Sequence, residues 1–255
     1  MNRPILCLAV AALAGLAVPA AAQEVVRIGT TPESYPPFTW VDAQGKLNGF
    51  EIEIGEALCA QMQVKCEWVL QSWDGIIPAL QEKKFDAIIA SMSITDERKQ
   101  VVDFSDKYYN DPAIFIGGKD EQIDISPEGL SGKTVGVQIS TVHANYIQAK
   151  YKNVVTIKTY DTQENANLDL IAGRVDLLLA DSVALADFLK SPEAADLEIK
   201  GKPFTDPLMG EGVGVAVRKG DPLAAKFSAA IKAIRANGLY KTINDKYFSF
   251  DIYGG

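Results

Sequence analysis

The chain has 255 residues, of which 47% are hydrophobic and 23% charged. These are ordinary globular values for one large domain or two small ones, and they exclude a disordered or collagen-like chain. The 25 Lys and Arg residues against 33 Asp and Glu give a net charge of -8, so we expect neither nucleic acid nor anionic lipid as a partner. The single histidine, His143, argues against most histidine-dependent catalysis and most zinc sites.

Residues 1–22 have the features of a secretory signal peptide. Arg3 supplies the positive end, residues 5–18 are apolar, and Ala20, Ala21 and Ala22 form a small-residue cleavage site. The apolar run is shorter than the ~20 residues of a membrane span. We therefore predict an exported protein whose mature chain starts near position 23, with a retained membrane anchor as the alternative.

Cys59 and Cys66 are the two cysteines that remain after removal of this signal. An even pair in an exported chain predicts a disulfide, which would link the end of a helix over 53–63 to the next strand. Two buried free thiols are the alternative. A zinc site is disfavoured because no further cysteine or nearby histidine completes four ligands.

Strand and helix patterns alternate along the mature chain. In the first half, the patterns predict strands at 25–29, 66–70 and 85–90 and helices over 50–61 and 74–82. Asp74 is a plausible cap for the second of these helices. In the second half, they predict strands at 134–137, 175–180 and 214–217 and helices over 162–172 and 222–237. The alternation indicates α/β layers with mainly parallel strands.

The segments 86–91 and 176–181 form a weak internal repeat. Each follows a polar turn, begins with an aspartate and runs through a buried strand to one polar residue, Ser91 or Asp181. Two similar sheets would each present a polar group at the carboxyl end of a strand, where the ligands of open α/β sheets bind. We therefore predict a cleft between two lobes. The alternative is that helix-turn-strand units look alike everywhere.

The segment 91–98, with the sequence SMSITDER, leaves a strand and enters a short helix for which Thr95 is a good cap. It gathers two serine hydroxyls, free backbone N–H groups and Arg98. This set suits a carboxylate, because arginine binds carboxylates bidentately and N–H groups add charge-assisted bonds. The alternative is that Arg98 lies on the surface and pairs with Asp96 or Glu97.

In the second half, Gln138, Ser140, Thr141 and Val142 join a strand to a helix that begins near Thr141. A helix N-terminus attracts anions through its unpaired N–H groups; plain capping is the alternative. Asp181 ends a strand of leucines, where a buried carboxylate needs a partner. We predict that Asp181 binds a ligand ammonium, with a cap for a helix over 182–189 as the alternative.

Tyr35 and Trp73 each follow a strand in the first half, and their flat rings would sandwich an aliphatic or cationic chain. Core packing is the alternative for both. Glu33 lies two residues before Tyr35 and would pair with a distal positive group of a ligand, unless it is solvated. We expect His143 at the surface or in the cleft lining rather than as a general base.

No catalytic residue, cofactor or metal site is predicted. The sequence lacks Gly-x-Ser-x-Gly, Gly-x-x-x-x-Gly-Lys-Ser/Thr and any cluster with metal-ligand spacing. Gly210, Gly212 and Gly214 match no dinucleotide-binding loop, and a backbone crossing between lobes explains them more simply.

Six segments, each weak alone, are specific in their order and spacing. They are YPPF at 35–38, GFEIEI at 49–54, DGIIPAL at 74–80, SMSITDER at 91–98, AGRVD at 172–176 and KYFSFDIYG at 246–254. Together they resemble the periplasmic solute-binding proteins of polar amino-acid ABC importers, and most of all the lysine/arginine/ornithine- and histidine-binding group. The cysteine pair is similar to that of the same group, where it forms a disulfide.

The resemblance implies an α/β, type II periplasmic-binding-protein fold, with two sheets flanked by helices and two crossing strands. Residues 23–111 and 212–255 would form lobe one, and residues 112–211 lobe two. It also implies a monomeric periplasmic protein without a cofactor, which closes over one amino acid and delivers it to an ABC permease in the inner membrane.

The matched positions imply a role for each pole of the ligand. Arg98, Ser93 and the backbone after Ser140 would hold the α-carboxylate, and Ser91 and Asp181 the α-ammonium. The full implied set is Glu33, Tyr35, Trp73, Ala90, Ser91, Met92, Ser93, Arg98, Gln138, Ser140, Thr141, Val142 and Asp181. Three departures concern ligand identity: a valine replaces the last hydroxyl residue of the lobe-two loop, Ala90 replaces a serine, and the loop before Tyr35, which carries Glu33, is one residue longer than usual.

A basic amino acid (arginine, lysine, ornithine or histidine) is the first choice of ligand, because Glu33 supplies a negative charge. An opine such as octopine or nopaline is the second, because opine-binding relatives share a Trp-Asp-Gly-Ile-like segment and an alanine at the position of Ala90. Retention of Asp181 favours a free amino acid. From another class, a periplasmic dehydratase on the same fold is the alternative, and a receptor domain is a third.

Overall fold

The computed structural model describes residues 23–254. The predicted signal peptide lies outside the described residues. Within the described part of the chain, no helix combines the length and the apolar character needed to cross a membrane.

The elements are named here in chain order. Up to the first crossing they are β1 (Val25–Thr30), β2 (Trp40–Val41), β3 (Leu47–Asn48), α1 (Phe50–Gln61), β4 (Lys65–Leu70), α2 (Ile76–Gln81), β5 (Ala87–Ile88), α3 (Asp96–Lys99) and β6 (Val102–Tyr109). They continue with β7 (Ala113–Gly118), β8 (Thr134–Gln138), α4 (Val142–Tyr151), β9 (Thr156–Tyr160), α5 (Gln163–Ile171), β10 (Leu177–Asp181), α6 (Ser182–Phe188) and β11 (Leu197–Phe204). The chain ends with β12 (Val213–Arg218), α7 (Leu223–Ala236) and α8 (Leu239–Tyr247).

Two five-stranded sheets repeat one plan. Their orders are β4-β1-β5-β12-β6 and β9-β8-β10-β7-β11. In each, one strand (β1 or β8) pairs in parallel with a neighbour on either side. The other pairings are antiparallel: β12 pairs with β5 and β6, and β7 pairs with β10 and β11.

The prediction of mainly parallel strands is therefore wrong for half of the pairings in these sheets. The chain passes from β6 to β7, and from β11 to β12, without an α-helix in between. Each of these connections leaves one sheet and enters the other, and the strand that it enters, β7 or β12, runs against the parallel strands of its sheet. The predicted strand over 85–90 is also shorter, at Ala87–Ile88.

The internal repeat has a structural counterpart. The carboxylate of Asp86 accepts a hydrogen bond from the backbone N–H of Arg27 at 3.1 Å, and that of Asp176 accepts one from Thr134 at 2.6 Å. In return, the backbone N–H of Asp86 donates to the Arg27 carbonyl, and that of Asp176 donates to the Thr134 carbonyl. Each aspartate thus fixes the register of the strand that follows it against β1 or β8.

The predicted disulfide is confirmed, and the alternative of two free thiols is wrong. Cys59 near the end of α1 is bonded to Cys66 in β4, with their Cα atoms 5.8 Å apart. Helix α1 begins and ends where the spacing predicts, at Phe50 and Gln61. It buries its apolar face in the core of the first sheet, together with α7 and α8.

The predicted cap at Asp74 is wrong. A 3-10 turn covers Trp73–Gly75, and α2 begins only at Ile76. The Asp74 carboxylate accepts a hydrogen bond from the Ser140 hydroxyl instead. This partner is 66 residues away in the chain, so local spacing gave no sign of it.

Candidate ligand-binding site

A cavity lies where the carboxyl ends of β5 and β10 face each other, and it contains about 680 Å³ of space free of protein atoms, open mouth included. Eleven residues of the predicted set line it: Glu33, Tyr35, Trp73, Ala90, Ser91, Ser93, Arg98, Gln138, Thr141, Val142 and Asp181. Seven further residues line it: Thr31, Ser34, Thr39, Glu51, His143, Gln163 and Leu179. Of these seven, the sequence analysis expected only His143, at the surface or in the cleft lining. Most of the wall is therefore predictable from motifs, whereas its supporting groups are not.

Two members of the predicted set do not line this cavity. Met92 is buried in the hydrophobic core of the first sheet, in a cluster with Ile88 and Val102. Ser140 lies at the edge of the cleft, where its hydroxyl donates to Asp74 and its carbonyl accepts from Arg98. The contribution of Met92 is thus to packing behind the wall.

Arg98 lies on α3 and extends toward the second sheet. The Thr95 hydroxyl caps the helix by accepting the Arg98 N–H at 3.2 Å, as predicted. Nη1 donates to the Ser93 carbonyl at 2.9 Å and Nη2 to the Ser140 carbonyl at 3.1 Å. The guanidinium carbon lies 5.3 Å from the centre of the Trp73 ring.

This environment decides the charge of the Arg98 guanidinium. Burial lowers the pKa of Arg98 to about 10, so the group stays positive at neutral pH. Its hydrogen bonds within the described residues go to carbonyl oxygens rather than carboxylates. The alternative of a surface pair with Asp96 or Glu97 is wrong, since Asp96 faces Lys99 and Glu97 accepts from the Asn145 amide. A partly buried cation that forms no ion pair within residues 23–254 is a strong attractor for an anion.

Asp181 ends β10 and is held from both sides of the cleft. The Tyr35 hydroxyl donates to its Oδ2 at 2.7 Å, and Nε2 of His143 lies 3.5 Å from its Oδ1. Burial, together with the negative charge of Asp181, raises the pKa of Tyr35 well above its ordinary value, so the phenol keeps its proton and donates. The Asp181 side chain is 16% exposed, enough to receive a ligand group.

The capping alternative for Asp181 is wrong, because its side chain makes no capping hydrogen bond. Asp111, from the crossing after β6, takes that role. Its carboxylate accepts from the Ser182 hydroxyl at 2.6 Å and from the Val183 N–H at 3.1 Å. Burial and the nearby Asp181 raise the pKa of Asp111 well above its ordinary value. Asp181 is thereby left free to face the cavity.

Ser91 follows β5 in a left-handed backbone conformation, with φ of 52°. A buried carboxylate stabilises it: Glu51 accepts the Ser91 N–H at 2.8 Å and the Ser91 hydroxyl at 3.2 Å. The hydroxyls of Tyr108 and Thr39 donate to the same carboxylate. Glu51 was missed as a site residue; the available signal was an acidic residue between Phe50 and Ile52 on the buried face of a predicted helix.

Glu33 is a further carboxylate that lines the cavity, besides Asp181 and Glu51. Its Oε2 is buried and has no hydrogen-bond partner among residues 23–254. Because a buried charged oxygen is unfavourable unless it is paired, this atom favours a donor supplied from inside the cavity.

Several hydrogen bonds cross the cleft. The indole N–H of Trp73 donates to the Ile139 carbonyl at 3.1 Å, and the Asn145 amide donates to Glu97 at 3.2 Å. The Arg98–Ser140 and Tyr35–Asp181 contacts also join the two sides. The two sheets therefore face each other in a closed arrangement, with polar contacts around the rim of the cavity.

A family model, the bacterial extracellular solute-binding proteins, family 3, matches residues 26–250. The chain belongs to this family. The resemblance expected from the sequence is thus confirmed, and so is the fold. Within residues 23–254, the solute-binding protein has no cluster of three or more His, Cys, Asp or Glu residues that could hold a metal ion.

Individual relatives agree with this assignment. The chain is 49% identical to the L-arginine-binding protein of Pseudomonas aeruginosa over an alignment of 248 residues, and this alignment covers 95% of each chain. It is 40% identical to the lysine/arginine/ornithine-binding periplasmic protein of Escherichia coli, over the full length of both. Among solved structures, an ancestral arginine-binding protein bound to arginine matches with a TM-score of 0.82 and 36% identity, covering 89% of this chain and 99% of that one. These relatives are binding proteins rather than enzymes.

Proposed function

We propose that this protein captures a basic amino acid, namely arginine, lysine, ornithine or histidine, in the periplasm and delivers it to an ABC permease. The observation that carries the proposal is the set of charges around the cavity. Arg98 offers one positive charge, and Asp181 and Glu33 offer two negative charges. The third lining carboxylate, Glu51, is already bonded to Ser91, Tyr108 and Thr39, and burial raises its pKa. A basic amino acid carries the complement, with one carboxylate, one ammonium and one cationic side chain.

The three charges have separate tasks in this proposal. Arg98, with the Ser93 hydroxyl, binds the α-carboxylate bidentately. Asp181 and Ser91 bind the α-ammonium. The unpaired Oε2 of Glu33 accepts a hydrogen bond from the side-chain cation.

The aromatic groups fit the aliphatic part of such a ligand. Tyr35 and Trp73 both line the cavity, and each is fixed by its own polar atom, through Asp181 and Ile139 respectively. Two fixed rings lose little conformational entropy when a flexible side chain enters between them. The arrangement supports a long, cation-tipped side chain over a short one.

We further propose that residues 23–111 and 212–255 form one lobe and residues 112–211 the other. In this scheme the ligand contacts both lobes only in the closed form, so it shifts a hinge equilibrium by its differential affinity. The permease then recognises the closed shape. The names of the relatives, which bind arginine or lysine, arginine and ornithine, support the same ligand class. We propose that the mature protein acts as a monomer.

The test is a calorimetric titration of the mature protein at pH 8 with arginine, lysine, ornithine and histidine, and with citrulline as the uncharged near-isostere of arginine. We expect arginine to bind at least about 30-fold more tightly than citrulline, because a buried charge-assisted bond contributes ~2 kcal/mol or more. Absence of binding by all four basic amino acids would overturn the proposal. Tighter binding of octopine than of arginine would assign the site to an opine.

The matched variant is Glu33→Gln, which keeps the size of the side chain and removes its charge. We expect the preference for arginine over citrulline to fall to about five-fold or less, since the neutral amide makes only an ordinary hydrogen bond. An unchanged preference would show that Glu33 does not contact the ligand side chain.

A further inference from the structure

His143, the single histidine of the chain, lies one residue inside the N-terminus of α4. It is 5% exposed and lines the cavity. Its Nε2 is 3.5 Å from Oδ1 of Asp181, on the opposite side of the carboxylate from the Tyr35 hydroxyl. An ionisable ring thus stands against the carboxylate to which the ligand ammonium is assigned.

We propose that His143 is a positioning residue for Asp181, and that its protonated form competes with the ligand ammonium for this carboxylate, so that ligand affinity falls at acidic pH. The inference rests on the proposed function, because it needs an ammonium at Asp181. It adds a proton-linked element to the site.

The groups around the ring determine which form is present. Asp181 at the end of β10 and Arg98 on α3 are the charged groups that face it. Behind Asp181 stand the Tyr35 hydroxyl and the capping carboxylate of Asp111. At the far end of the same helix, Lys150 pairs with Asp206 at 3.3 Å.

Burial lowers the pKa of His143, Arg98 acts in the same direction, and Asp181 opposes them. The ring is therefore neutral at pH 7, and the Asp181 carboxylate keeps its capacity for a second donor besides the Tyr35 hydroxyl. When the pH falls below the pKa of His143, the ring becomes a cation and forms an ion pair with the same carboxylate. An incoming ammonium must then displace the imidazolium from the carboxylate.

The sign of the linkage follows from the ligand charge. An ammonium bound at Asp181 places a positive charge beside the ring and lowers its pKa further, so the liganded form holds the proton less tightly than the free form. Binding therefore releases a proton at acidic pH. Affinity is full at pH values above the pKa of His143. It decreases as the pH falls through that pKa, by at most about ten-fold per pH unit.

The first experiment is a calorimetric titration with arginine from pH 8 to pH 5, each in two buffers of different ionisation enthalpy, for the wild type and for His143→Gln. We expect the wild type to lose affinity toward the acidic end of this range, by no more than about ten-fold per pH unit, with release of a fraction of a proton. The glutamine variant, whatever its affinity at pH 8, should vary by less than about two-fold. Equal slopes for the two proteins would overturn the inference.

The second experiment needs no variant. The untagged mature protein has one imidazole, so its proton NMR signal gives the pKa of His143 directly, with and without saturating arginine. We expect a lower pKa in the arginine complex. An equal or higher pKa would overturn the inference, whereas failure of the wild type to bind arginine at pH 8 would overturn the proposed function instead.

Discussion

The two sheets share one strand plan but present different chemistry at equivalent ends. β5 leads to Ser91, whose backbone is stabilised by the buried Glu51. β10 leads to Asp181, which is held by Tyr35 and His143. One sheet thus ends in a neutral hydroxyl and the other in a carboxylate, although the aspartates that begin the two repeat segments are bound in the same way.

The connections that follow the equivalent strands β1 and β8 differ as well. After β1 the chain makes a long excursion through residues 31–49 before α1 begins. After β8, only three residues separate the strand from α4. The long connection supplies Glu33 and Tyr35, while the short one supplies a capped helix start at Thr141. A repeated scaffold can therefore bind a ligand with unlike ends, because its loops and strand ends diverge while its register is kept.

The largest expected effect comes from the charged groups. Asp181→Ala and Arg98→Ala should each weaken arginine binding by at least about 30-fold, because truncating one partner of a buried charged pair costs ~2–5 kcal/mol. Ser91→Ala, at the equivalent strand end, should weaken it by less than about ten-fold, the value of a neutral hydrogen bond. Calorimetry gives the affinities, and circular dichroism checks that each variant is folded. Similar losses for Ser91→Ala and Asp181→Ala would contradict the distinction between the two ends.

The second effect concerns stability, and only the first sheet. The Cys59–Cys66 bridge lies at the start of β4, at the end of the sheet opposite the cavity, and closes a short loop with a separation of 7 residues. Cys59→Ala combined with Cys66→Ala should lower the free energy of unfolding by about 2–3 kcal/mol. Urea denaturation measures this change. Arginine affinity should stay within about two-fold, and a larger loss would mean that the bridge shapes the cavity.

The smallest effect concerns Ser140, which has a left-handed backbone (φ 60°) like Ser91 and bonds to Asp74 across the cleft. Ser140→Ala should weaken arginine binding by about three- to ten-fold, because the lost bond stabilises the closed form. Ser140→Gly loses the same bond but relieves backbone strain, so it should be more stable than the alanine variant by ~1 kcal/mol. The affinities measure the effect of the lost bond, and the urea midpoints measure the effect of the backbone strain. Equal stability of the two variants would argue against strain at this position.

Local patterns predicted much of the fold and part of the site. The apolar spacing gave the bounds of α1, the hydroxyl at Thr141 gave a cap, and the cysteine pair gave the disulfide. Strand ends at Ser91 and Asp181 followed from one buried run ending in one polar residue. These features depend on residues close together in sequence.

The misses are long-range. The supporting role of Glu51 depends on Ser91, 40 residues away, and that of Asp74 on Ser140, 66 residues away. The position of His143 beside Asp181 depends on how α4 and β10 meet in space. The antiparallel strands arise from crossings between sheets, which a pattern of alternating strands and helices does not encode. The ligand-contact roles themselves stay predictions until the titrations are made.

The position of Trp73 makes it an intrinsic fluorescent probe of the cleft. Its indole lies beside the Arg98 guanidinium on its own side of the cleft and donates across the cleft to the Ile139 carbonyl. The other two tryptophans sit elsewhere, Trp40 in β2 and Trp68 in β4, where it donates to Glu56. When the two sides separate, Trp73 exchanges the Ile139 peptide oxygen for water while Arg98 stays beside it, so we expect a red shift in the Trp73 emission to report opening without any attached dye.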